Sequence, residues 1–195
     1  MNPTVLTLPR RATKPRTTGL TMVIDGGLPL EHFRDLVELG GEYIDFMKFG
    51  WGTSVLTNCL EAKIDILKAH SIGFYFGGTL FEKFALQGRF EDFRRFCLEH
   101  GARHVEVSNG TIEMSNAEKA GYIRKLAPEF TVVSEVGFKD PGRSEMLPPS
   151  EWVAAIKEDL DAGAEIVTLE ARESGSSGIC RPDGELRYGL IEDVL

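Results

Sequence analysis

Six short β-prone runs, each followed by a longer amphipathic one, constrain this chain more than any other feature. The β-prone runs are Leu20–Asp25, Tyr43–Phe49, Gly73–Phe76, His104–Ser108, Thr131–Val136 and Ile166–Ala171. Their starts lie roughly 22 to 35 residues apart, about the length of one βα unit. Between them the helical spacing is explicit. Leu30, Phe33, Leu36 and Val37 share one face, with Pro29 near the start and Gly40–Gly41 at the end. Leu56, Leu60, Ile64 and Leu67 repeat in the same way, and Pro149-Ser150 opens a helix through Trp152, Ile156 and Leu160 that ends near Gly163. Thr79–Glu82 and Ser115–Glu118 both have the hydroxyl-x-x-carboxylate spacing of a capping box. Phe33, Phe81, Phe84, Phe93 and Phe96 recur at helical spacing and are expected in the core.

Strands alternating with helices imply a parallel α/β architecture, either an open doubly wound sheet or a (β/α)8 barrel. The first turn, Asp25-Gly26-Gly27-Leu28, lacks GxGxxG, which counts against a dinucleotide-binding sheet. Side-chain alternation favours the barrel. Val105 and Val107 point one way, and His104, Glu106 and Ser108 the other; Val167, Leu169 and Ala171 oppose Thr168, Glu170 and Arg172. Charges on the inward face, near the C-terminal strand ends, match a barrel with its site at that rim. The expected organisation is a flexible tail over 1–18 and a parallel (β/α)8 TIM-type barrel domain over 19–195. Only six βα units are visible, so the barrel reads as truncated at its C-terminus.

Composition narrows the function classes. A length of 195 residues gives one domain, and 42% apolar residues can bury a sizeable core. A formal net charge of −8 argues against a broad nucleic-acid or anionic-membrane surface. The three cysteines (Cys59, Cys97, Cys180) form no CxxC, so neither a disulfide framework nor a zinc ribbon is expected, and a reducing cytoplasm fits best. Met1–Thr18 carries Arg10, Arg11, Lys14 and Arg16 without an apolar h-region, unlike a secretory signal. His70 and His100 fall at helix C-termini, where capping explains them, and no histidine pair has metal-ligand spacing.

The chemistry concentrates just beyond the strands. Lys48 ends the second strand on the inward side, a costly place for a lysine unless it meets an anion; the alternative is a structural pair with Asp25 or Glu106. Glu106, Glu135 and Glu170 end three successive strands and, with Asp25, are candidates to converge on one hard cation. Arg172 with Ser174-Gly175-Ser176-Ser177-Gly178 makes a phosphate cradle, since a guanidinium grips an oxyanion bidentately and glycines expose amides. Ser174 and Gly175 are the expected contacts there, though Ser/Gly runs also serve as flexible connectors. Gly77-Gly78-Thr79 reads as rim architecture.

Lys48–Ser54, Gly77–Glu82, Glu106–Thr111, Ser134–Asp140 and Glu170–Gly175, with Gly19–Asp25 before them, are collinear from about Thr18 to Leu195. Together they closely resemble the phosphosulfolactate synthase family. That resemblance implies a (β/α)8 barrel that uses Mg²⁺ to add sulfite to phosphoenolpyruvate, giving (2R)-phospho-3-sulfolactate in coenzyme M synthesis. It places Lys139 as the general acid that protonates C2; otherwise Lys139 is a surface lysine beside Asp140, and Lys48, the other lysine at a strand end, is the next candidate for that catalytic role. It implies small-molecule partners, no nucleic acid and no membrane, and leaves room for a homo-oligomer. Family members are typically longer at the C-terminus, and plant relatives are associated with heat tolerance. Two alternatives therefore stand beside it: another nucleophile added to phosphoenolpyruvate or a related enolate precursor, or a non-catalytic stress protein on the same scaffold.

Overall fold

The computed structural model describes residues 7, 10–172 and 174–195. Six parallel strands lie in two three-stranded sheets. One has the order β1 (Met22–Asp25), β2 (Phe46–Phe49), β3 (Gly73–Phe76); the other has β4 (His104–Val107), β5 (Thr131–Val136), β6 (Ala164–Leu169). The helices between them are α1 (Leu30–Gly40), α2 (Leu60–Ala69), α3 (Gly78–Leu86), α4 (Phe90–Glu99), α5 (Asn116–Leu126), α6 (Pro141–Met146) and α7 (Pro149–Asp161), with α8 (Tyr188–Val194) last.

Where a barrel wall would run from β3 into β4, the two strands lie side by side without a ladder among the described residues. The link at the top of that seam is a side chain: Glu106 accepts the N–H of Gly78, the first residue of α3. Among the described residues the arrangement is parallel α/β in two sheets, with no ladder joining them into a closed barrel. β6 also starts two residues earlier than Ile166, because Ala164 pairs with Val132 across an irregularity in the β5 ladder.

Register fixes which side chains share a face. Ile24, Lys48 and Tyr75 lie abreast in the first sheet, while Glu106 pairs with Val133 and Glu135 with Thr168 in the second. This inner face carries the charged side chains of the strands, beside apolar ones such as Ile24 and Val133. The opposite face carries Met47, Phe49, Phe74, Phe76, Val105, Val107 and Val132 against Phe33, Ile64, Phe81, Phe93 and Ile123 of the helices. Each such fully buried side chain contributes about 1.5–3 kcal/mol, so stability resides outside the strands and leaves the inner face free for charge. Trp152 of α7, fully buried, anchors a smaller cluster with Val136, Ala155 and Leu190. Phe33, Phe81 and Phe93 are fully buried as expected, with Phe84 and Phe96 packed partly against them.

The capping box at Ser115–Glu118 forms, with hydroxyl and carboxylate each accepting the other residue's N–H. The one expected at Thr79–Glu82 does not. Gly77 is the N-cap of α3 and Thr79 lies inside the first turn, so its hydroxyl is free for other work. Residues 10–18, read from sequence as a tail, place three cations on the second strand's approach. Arg16 donates to Asp45 at 2.8 Å, Arg11 to Thr21 Oγ1 at 2.6 Å, and Lys14 to the Gly41 carbonyl at 2.6 Å. Among the described residues no helix is long and apolar enough to cross a membrane.

Candidate active site

The C-terminal strand ends surround a cavity of about 380 Å³. Its lining includes Lys48 from β2, Trp51 beyond it, Thr79 from α3, Glu135 from β5, Lys139 on the following loop, and Glu170 and Arg172 after β6. Met22 and Ile24 of β1 form an apolar side that is partly open, Ile24 being 43% exposed.

Lys48 organises the floor. Its ammonium donates to Glu106 at 2.7 Å and to Glu135 at 3.3 Å. Burial pulls that ammonium towards deprotonation, but the two carboxylates outweigh it and hold Lys48 above the ordinary lysine range. Glu106 is fully buried; burial and the neighbouring Glu135 charge push its carboxyl up to about 7, against the pull of Lys48. Tyr75, abreast of Lys48, is likewise raised by burial and by the same two carboxylates. Glu170 is raised by burial first and by Glu135 second. One of its oxygens accepts the Arg172 N–H at 2.7 Å, while Oε2 is buried without a hydrogen-bond partner among the described residues.

Three further features shape the site. Trp51 adopts φ of 51°, a left-handed conformation that costs a bulky residue of order 1–3 kcal/mol. Its ring lies so close to Gly26 that a Cβ there would sit 2.4 Å from it, so a side chain at that turn would have to displace the ring. Lys139 donates from Nζ to Thr79 Oγ1 at 3.1 Å. Arg172 is also left-handed, with φ of 54°, and among the described residues no carboxylate pairs with its guanidinium.

Of the residues singled out from sequence, Lys48, Glu135, Lys139, Glu170 and Arg172 meet in this cavity, and Glu106 lies directly beneath it. Asp25 does not join them. It ends β1 facing the helices, where Oδ2 takes the Lys63 ammonium at 2.6 Å and Oδ1 accepts the N–H groups of Gly27 and Leu28. Register explains this: Asp25 is one residue past Ile24 and so falls on the other face. Ser174 and Gly175 are not among the residues lining the cavity. Ser174 pairs with Ser176 at 2.6 Å, and the Gly175 N–H returns to the Arg172 carbonyl at 3.1 Å. The rest of that loop is held in place: Ser177 donates to the Phe138 carbonyl, and Gly178 packs so tightly on the Glu170 carbonyl that no Cβ would fit. Among the described residues there is no group of three or more His, Cys, Asp or Glu side chains placed as metal ligands. Trp51, Tyr75 and Thr79 escaped sequence reasoning as site residues; the inward parity of Tyr75 with Lys48 is the one signal that points to it.

A family model described as (2R)-phospho-3-sulfolactate synthase (ComA) matches residues 9–195. The chain belongs to the phosphosulfolactate synthase family. It is 49% identical to the phosphosulfolactate synthase of Bacillus subtilis (strain 168) over 195 residues, all of this chain and 77% of that relative. It is 42% identical over 183 residues to the enzyme of that name from Methanothermobacter thermautotrophicus, covering 92% of this chain and 71% of the relative. Among solved structures, the carboxyl transferase domain of Rhizobium etli pyruvate carboxylase with pyruvate superposes with a TM-score of 0.58 at 13% identity. That match covers 90% of this chain and a third (33%) of the other, and it speaks to the fold alone.

Proposed function

We propose that this cavity adds sulfite to phosphoenolpyruvate to give (2R)-phospho-3-sulfolactate, a carbon–sulfur bond-forming lyase reaction. The observation that carries the reading is the meeting of Lys48, Lys139 and Arg172 in one cavity of a chain from this family. The six βα units are read as part of a (β/α)8-type barrel, supported by the inward alternation and by the Rhizobium likeness.

A trianionic substrate needs cations, and two of the three serve as anchors: Lys48 and Arg172 hold the phosphate and carboxylate of phosphoenolpyruvate. Sulfur attacks C3 and the C2–C3 π pair moves towards the carboxylate, giving an aci-carboxylate. The Lys139 ammonium then delivers a proton to C2, and the proton of bisulfite or water restores it. Holding Lys139 on one side of the cavity makes that delivery one-sided, as a single C2 configuration requires.

Mg²⁺ fits the donor set in part. A hard cation takes carboxylate oxygens and keeps several waters, so two ligands suffice. Glu170, with a buried unpartnered oxygen, and Glu135 beside it are the residues that would hold it. Both Glu106 oxygens are already engaged by Lys48 and Gly78, and Asp25 lies on the other face. When bound, the cation would offset negative charge developing on the substrate carboxylate. The physiological setting is read as cytoplasmic, in keeping with three free thiols.

A ³¹P NMR time course tests the reaction. Phosphoenolpyruvate should be replaced by one new phosphate-ester resonance only when sulfite and Mg²⁺ are both present. An unchanged spectrum with folded protein, or conversion that ignores sulfite, would overturn the assignment.

A further inference from the structure

Thr79 and Glu82 have the spacing of a capping box yet cap nothing. Both side chains are used on other loops. Glu82, fully buried one turn into α3, accepts from the Gly110 and Thr111 N–H groups at 3.0 Å each and from the hydroxyls of Ser108 and Thr111. A buried carboxylate with four donors is fully satisfied and rigid, so it welds the loop after β4 to α3. That loop in turn supports Lys139: the Gly110 carbonyl faces the Lys139 N–H at 3.5 Å, and a Cβ on Gly110 would lie 3.8 Å from Lys139 Cγ. Thr79, three residues before Glu82 on the same helix, receives the Lys139 ammonium at 3.1 Å. One helix thus braces the lysine at both its backbone and its charged end.

We propose that Thr79 is a positioning residue that holds the Lys139 ammonium at the proton-delivery point, against a platform fixed by Glu82. The inference rests on the reading of Lys139 as the general acid and adds what aims it. Thr79 Oγ1 is the polar contact at the tip of this four-carbon side chain among the described residues, and such a chain depends on its tip contact for its direction. Displacing an acid by about 1 Å costs on the order of 100-fold in rate.

The test uses Thr79→Val, which keeps the shape and removes the hydroxyl, and Thr79→Ser, which restores it. Thr79→Val should lower kcat by about 10- to 100-fold with little change in KM, the signature of an interaction made in the transition state. Thr79→Ser should return close to the parent. In a Lys139→Ala background Thr79→Val should add no further loss. A readout independent of turnover is the acetylation rate of Lys139 under limiting acetic anhydride, measured by peptide mass spectrometry; it should rise in Thr79→Val relative to Lys125 and fall back in Thr79→Ser. Parent-like kcat in Thr79→Val, a loss that Ser does not rescue, or an equal loss without Lys139 would overturn the proposal. Parent turnover in Lys139→Ala would instead remove the acid role itself, while the labelling shift would still report whether Thr79 holds the lysine.

Discussion

The two faces of the strands use the same residue types to opposite effect. On the helix side, buried lysines meet carboxylates one to one: Lys63 with Asp25 at 2.6 Å, and Lys119 with Asp159 at 2.7 Å, every partner at most 1% exposed. On the inner face, Lys48 is shared by Glu106 and Glu135, and Glu170 stands beyond them. The first arrangement sets one ammonium against one carboxylate away from the cavity, with Asp159 Oδ1 left buried and unpartnered among the described residues. The second shares one lysine between two carboxylates and, among the described residues, leaves Glu170, Lys139 and Arg172 without such a pairing on an open cavity. Matched charge is architecture; unmatched charge beside a cavity is where a cation and an anionic substrate have something to do.

The largest expected effect falls on the inner face. Lys139→Ala should lower turnover by about 10²–10⁴-fold while phosphoenolpyruvate binding is spared, as steady-state kinetics and calorimetry would show. Loss of binding together with turnover would make Lys139 an anchor.

Next comes the contrast in stability. Lys63→Met strands the buried Asp25 charge and should cost about 3–5 kcal/mol in urea unfolding. Lys48→Met should cost less, because Glu106 already sits near 7 and can take up a proton instead. It should, however, raise KM for phosphoenolpyruvate. Equal destabilisation by both would erase the distinction between the faces.

A smaller effect is a pH slope. The folded chain keeps Glu106 protonated up to about 7, whereas the unfolded chain ionises it near its ordinary 4.5. Between those values the folded state binds the extra proton, so this group's contribution is full below about 4.5 and is lost as pH rises through about 7. Glu106→Gln should flatten that part of the profile in denaturant melts at a series of pH values. The smallest change expected is Gly26→Ala, whose Cβ meets the Trp51 ring; it should shift KM modestly with kcat intact.

Much of this was legible from period alone. The strand at Thr131–Val136 and that at Gly73–Phe76 have the bounds expected of them, since a short β-prone run buried on both faces stands out from its flanks. Tyr43–Ile44 was expected in β2 but sits outside it: Gly41–Tyr43 forms a 3₁₀ turn ahead of Asp45, which the N-terminal arginines hold. In the site, parity correctly turned Lys48, Glu106 and Glu170 inward. The same parity rule, not applied to the first strand, would have sent Asp25 outward. Thr79 and Glu82 could not be read locally, since a capping box and two loop braces share one sequence spacing and only tertiary partners distinguish them. The Ser/Gly loop offered flexibility in sequence, yet Ser177 and Gly178 bind it to Phe138, Ser144 and Glu170.

The difference between the two faces is tested most directly by Mg²⁺-dependent phosphoenolpyruvate binding, measured by isothermal titration calorimetry on the parent, Glu135→Gln, Glu170→Gln and Asp25→Asn, each shown to be folded at the temperature used. The account predicts weakened binding for Glu135→Gln and Glu170→Gln, and parent-like affinity for Asp25→Asn whatever its loss of stability. Parent-like titrations for both inner-face variants, with Asp25→Asn impaired, would place the cation on the helix side and contradict it.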